Sequence, residues 1–157
     1  MTIRHNSAAG TNALPPSRST ASTGDRMHAA ALGVAVGINV GYWVGFFTGE
    51  SVRTTDDPAW LDFEKAFVLA EGYMDVVGLA AAVQLWRGRP SAVALGIAAG
   101  SAVTFLGLMD VLYNLQHGKY ADRSSAMALE AAVNVISLTL GPFTMVRLWQ
   151  ARHRLGA

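Results

Sequence analysis

Residues 92–116 read AVALGIAAGSAVTFLGLMDVLYNLQ, an apolar stretch in which Asp110 is the only charged residue. About 20 apolar residues at a rise of 1.5 Å each cross a bilayer, so the stretch predicts a membrane-spanning helix. Three comparable runs accompany it, at about residues 28–49, 60–86 and 125–149. The second carries Asp62, Glu64, Lys65, Glu71 and Asp75 and is the least apolar. The fourth contains Pro142, which removes one backbone hydrogen bond and predicts a kink. Arg87–Pro90 and His117–Ser124 are short connections, and residues 50–59 form the longest one. Short connections make sequential helices antiparallel neighbours. The expected fold is all-α: an integral membrane, up-down-up-down four-helix bundle over residues 27–150.

Outside the runs, residues 1–26 are rich in Ser, Thr, Ala and Asn, include Pro15-Pro16 and show no apolar period. They predict a disordered cytoplasmic tail. Residues 151–157 predict a short basic tail. Both termini are assigned to the cytoplasm by the Lys/Arg rule. The N-terminal tail, the second connection and the C-terminal segment hold eight Arg, against four Lys and Arg on the opposite side. The Ala/Gly/Arg-rich, Lys-poor composition points to a plasma membrane.

The length of 157 residues suits one domain. The chain is 52% hydrophobic and only 15% charged, where a soluble domain carries about 25%. Net charge is +1, so no nucleic-acid partner is expected. With no cysteine, disulfides, thiol catalysis, iron–sulfur clusters and Cys-based zinc sites are excluded. The histidines (5, 28, 117 and 153) lie at run ends or in tails, and no Glu-x-x-His pair of a di-iron bundle is present. Neither a phosphate loop nor a hydrolase elbow occurs. No cofactor is expected, and the question of a metal is left open. Small four-helix multidrug exporters are of similar size, but they carry their membrane carboxylate in the first helix. Here the first run has only Asn39, and the match is rejected.

The first run places Gly33, Gly37, Gly41, Gly45 and Gly49 four residues apart, and the third repeats the spacing at Gly96 and Gly100. Small residues at this spacing form a ridge that another backbone can approach closely. The ridge of the first run serves either packing inside the bundle or a homo-oligomer through Gly33, Gly37, Gly41 and Gly45.

Three runs each carry polar residues four apart: Glu71 and Asp75, Asp110 and Asn114, Glu130 and Asn134. Such pairs share a helix face. Glu64 extends the first of these faces by seven residues, and the first run adds Asn39 with Trp43 one turn on. A charged residue at the bilayer centre costs about 3 kcal/mol on the lenient insertion scale. No Lys or Arg lies deeper in these runs than Lys65. Carboxylates so gathered resist simultaneous ionisation, so a proton or cation must balance them.

Two functional expectations follow. The first is a pocket opening toward the outer face that binds or transports a proton, a cation or a small cationic ligand. Asn39, Trp43, Glu64, Asn114 and Asn134 would be its binding residues. The second is an intramembrane enzyme using Glu71, Asp75, Asp110 and Glu130 as acid and base on a sterol- or terpene-like substrate. A structural or accessory subunit built on the glycine ridge is the third class.

Overall fold

The computed structural model describes residues 20–49, 52–53 and 55–157; residues 1–19 of the expected tail lie outside them. The described chain is helical, with no strand among its residues. Four segments are long and apolar enough to cross a membrane: Thr23–Thr48, Pro58–Trp86, Ser91–Gln116 and Ser125–Leu155.

α1 (Thr23–Thr48) starts earlier than composition suggests, because Ser22 and Asp25 form a capping box. The Ser22 hydroxyl accepts the Asp25 N–H at 3.2 Å, and the Ser22 N–H donates to Asp25 Oδ2 at 2.9 Å. Two of the orphan N–H groups of a helix start are satisfied in this way. Gly49, at φ 83°, closes the other end in a left-handed conformation that suits glycine.

The second apolar run divides. α2 (Pro58–Lys65) begins with Pro58 after an Asp57 cap, and α3 (Val68–Trp86) follows a tightened turn. At that turn Ala66 and Phe67 donate to the carbonyls three residues back, at 3.1 and 2.9 Å. α4 spans Ser91–Gln116, and a short 3₁₀ turn, Lys119–Ala121, leads to α5 (Ser125–Leu155). α5 contains Pro142 and runs on through Arg152–Arg154, so residues 151–155 are helical where a basic tail was expected. The extension has a physical reason. Arg154 grips Asp25 with two hydrogen bonds of 2.7 and 2.9 Å, and Leu155 is buried in the core.

The packing follows chain order: α1 on α3, α3 on α4, α4 on α5. α1 and α5 share no packing of that extent. They meet at one end, where Asp25 also receives Arg147 at 3.3 Å and His28 stands edge-on to Phe143 at 5.4 Å. A core of Ala29, Leu32, Ala81, Ala82, Leu85, Ala92, Val93, Leu148 and Leu155 fills this Asp25 end. The opposite, Trp60 end is aromatic. Trp60 and Phe46 are both buried and lie 6.0 Å apart, and Phe63 stacks on Tyr113 at 4.2 Å. Trp60 is therefore a packing residue, whereas Trp86 and Trp149 remain exposed at helix ends.

The small residues divide by role. A Cβ at Gly100 would lie 2.7 Å from the Gly141 carbonyl oxygen, and one at Gly107 would lie 2.9 Å from Ser137 Cβ. Glycine there lets α4 and α5 approach backbone to backbone. On α1, Gly33, Gly37 and Gly41 face no atom within 4 Å, and Gly45 meets only Val52 at 3.4 Å. Among the described residues, the α1 ridge at Gly33, Gly37 and Gly41 therefore serves no packing between helices. Gly100→Ala is expected to cost about 1–3 kcal/mol of stability through overpacking. Gly33→Ala is expected to cost none; paired melting curves check the contrast.

Candidate functional site

The acids meet in one cavity of about 140 Å³ bounded by all five helices. Local geometry brings them there. On α1, Asn39, Tyr42 and Trp43 are spaced by three and four residues, so one face presents three hydrogen-bond donors. Asn39 Nδ2 donates to Asp75 Oδ2 at 3.1 Å, and Trp43 Nε1 donates to Glu71 Oε2 at 2.7 Å. The Tyr42 hydroxyl donates to Glu64 Oε2 at 3.3 Å across the α2 junction. On the far wall the Asn114 amide of α4 donates to Glu130 of α5. Asp110 lines the same cavity as Glu71 and Glu130 and has no such donor among the described residues.

Each of these contacts supplies a neutral donor where a buried carboxylate would ordinarily take an Arg or Lys. Among the described residues no Lys or Arg lines the cavity. Arg53 is turned the other way, donating to the Phe46 carbonyl at 2.5 and 3.0 Å and lying 5.0 Å from the Phe46 ring. Lys65 pairs with Asp62 at 3.7 Å on the exposed side. Arg147 and Arg154 are committed to Asp25 at the other end. Among the described residues the cavity thus holds five carboxylates, Glu64, Glu71, Asp75, Asp110 and Glu130, and no cationic side chain. One oxygen of Asp75 is buried with no hydrogen-bond partner among the described residues.

The lining changes character along the axis. Toward the Trp60 end it is acidic. Toward the Asp25 end it consists of Leu32, Ala35, Val36, Gly78, Ala99, Gly100, Leu140 and Gly141, with Thr144 as the polar exception. The lining residues left most exposed are Ile38 at 48%, Ile136 at 46% and Leu129 at 45%. All three belong to α1 and α5, which share no extensive packing. The acids are dispersed: among the described residues no three Asp, Glu or His side chains converge closely enough to hold a metal ion.

Of the residues expected from sequence, Asn39, Glu64, Glu71, Asp75, Asp110 and Glu130 line the cavity. Trp43 and Asn114 stand behind them as donors to Glu71 and Glu130. Asn134 is buried but turns elsewhere, donating to the Tyr120 hydroxyl at 3.0 Å. Among the lining residues outside the expected set, Tyr42, Thr144 and Val52 stand out. Tyr42 shares the face of Asn39, so its spacing carried a signal. Thr144 lies on the same α5 stripe as Glu130. Val52 comes from the α1–α2 connection, where helical periodicity has nothing to say.

No protein-family model matches this chain, and neither does any curated protein or solved structure.

Proposed function

We propose that this chain is an integral membrane protein that binds a small organic cation in the acidic cavity, as a binding or transport protein. The observation that carries the reading is the lining itself: among the described residues, five carboxylates and no Lys or Arg. In a poorly hydrated site those charges need a counter-charge. The dispersal of the acids favours a multi-atom cation, which several carboxylates can share, over a single metal ion.

Insertion in a bilayer is supported by the outer surface, where Leu69, Val76, Val135, Val34 and Phe105 are all more than 60% exposed. Apolar patches of this kind mark a lipid or partner surface. An up-down-up-down arrangement is supported by contacts whose numbers fall on one helix as they rise on the other. Val36 meets Gly78, Asn39 meets Asp75 and Trp43 meets Glu71; Gly100 meets Gly141 and Asn114 meets Glu130. The Arg distribution favours cytoplasmic termini in a plasma membrane. The exposed lining at Ile38, Leu129 and Ile136 favours access through the α1/α5 seam rather than straight from the outer face.

Pairing Glu71→Gln with Asp110→Asn tests the cation site. Binding of an organic ammonium ion to the purified protein is expected in wild type and lost in the double variant. Equal binding by both proteins would sink the reading.

A homo-oligomer through the α1 ridge is proposed with it. Gly33, Gly37 and Gly41 lie open beside the exposed Val34 and Val40, and such a surface permits the close helix approach of a small-residue interface. Gly37→Ile is expected to shift the protein to monomer in detergent, read by light scattering, with its melting temperature little changed. An unchanged mass would remove the ridge from the interface.

A further inference from the structure

We infer that the cavity takes a linear aliphatic amine that carries a neutral hydrogen-bonding group, a hydroxyl or a carbonyl, at its far end. The inference rests on the acids being a cation site and adds what the rest of the ligand must be. It comes from Thr144. This residue lines the cavity, is 0% exposed, and its Oγ1 has no hydrogen-bond partner among the described residues. A threonine inside a helix commonly returns its hydroxyl to the carbonyl four residues back. Thr104 does so, donating to the Gly100 carbonyl at 2.7 Å, and Thr139 does so to the Val135 carbonyl. Thr144 does not. A buried hydroxyl left without a partner is costly, and Thr144 borders the cavity.

The cavity is thus acidic at one end and apolar at the other, with the Thr144 hydroxyl set in the apolar part. Its acidic part begins where Asn39 meets Asp75. Leu32, seven residues earlier on α1, lines the apolar end and shares a core cluster with Leu148, one turn beyond Thr144. Seven residues correspond to roughly 10 Å. A volume of 140 Å³ is close to that of an engineered cavity that takes up benzene. Drawn out over that length, it leaves room for a single chain and none for fused rings. The ammonium would rest among Asp75, Glu71 and Asp110, the chain would run past Ala35 and Val36, and its far group would meet the Thr144 hydroxyl. The half-exposed Ile38 and Ile136 mark the seam through which such a chain enters sideways.

The test measures binding to the full chain in phosphatidylcholine nanodiscs, using ethylamine, octylamine, octanol and aminooctanol as probes. Aminooctanol is expected to bind about fivefold tighter than octylamine, the worth of one hydrogen bond. Thr144→Val, which keeps the shape and removes the hydroxyl, is expected to erase that preference while leaving octylamine binding unchanged. Thr144→Ser is expected to retain the preference, which guards against a folding artefact. The acid double variant is expected to lose all the amines, and octanol is expected to bind neither protein. Equal affinity for aminooctanol and octylamine in wild type, or a preference that survives Thr144→Val, would overturn the inference; octylamine binding lost in the acid variant would then leave the cation site standing. If no amine binds wild type, the cation site itself is overturned, and the inference with it.

Discussion

Asp25→Ala is expected to remove about 3 kcal/mol of stability. Asp25 is fully buried, caps α1 through Ser22, and accepts hydrogen bonds from Arg147 and Arg154. Loss of a helix N-terminal cap costs about 1 kcal/mol. Breaking a fully buried ion pair costs about 3–5 kcal/mol, but the Arg154 and Arg147 side chains are 46% and 30% exposed, so the lower part of that range applies. Asp25→Asn keeps a capping group and is expected to cost less than alanine. The loss is localised as well as large. This end is where α1 and α5 meet, so hydrogen exchange over residues 23–32 is expected to rise more than exchange in α4. A melt unchanged by Asp25→Ala would show that the contact is ornamental.

The sequence carried the four apolar segments and the acids because both signals are periodic and local. A run of apolar residues declares its length, and Glu71 with Asp75 declares a shared face. What it concealed depends on partners far away in the chain. Residues 23–26 look like tail by composition, yet Ser22-x-x-Asp25 is a capping box, and only the arrival of Arg154 at Asp25 explains why that aspartate is buried. Trp60 at a run end resembles an interfacial anchor, and its burial against Phe46 follows from the way α2 folds onto α1. Asn134 has the spacing of a site residue, but its amide meets Tyr120 on the turn before α5. The break at Ala66–Phe67 has neither glycine nor proline to announce it.

The second large effect belongs to Glu71→Gln with Asp110→Asn. Affinity for an organic ammonium ion is expected to fall more than tenfold, since two charge-assisted contacts are worth roughly 1.5–3 kcal/mol each. In the absence of ligand the double variant is expected to be about 1 kcal/mol more stable than wild type near neutral pH. The amide oxygen that Glu71→Gln introduces can still accept from Trp43, and Asp110 has no donor to lose among the described residues. A binding site held at the expense of stability behaves in this way. A fall in both affinity and unliganded stability would instead mark the acids as structural.

The central claim, that these carboxylates form a cation site, is tested most directly by melting wild type and the double variant side by side in detergent. The series would hold ethylammonium, sodium, magnesium or calcium at increasing concentration and fixed ionic strength. A ligand that binds only the folded state raises the melt by mass action. The account predicts a concentration-dependent rise with ethylammonium in wild type and none in the double variant. A wild-type melt indifferent to every cation, with the double variant melting lower, would contradict it.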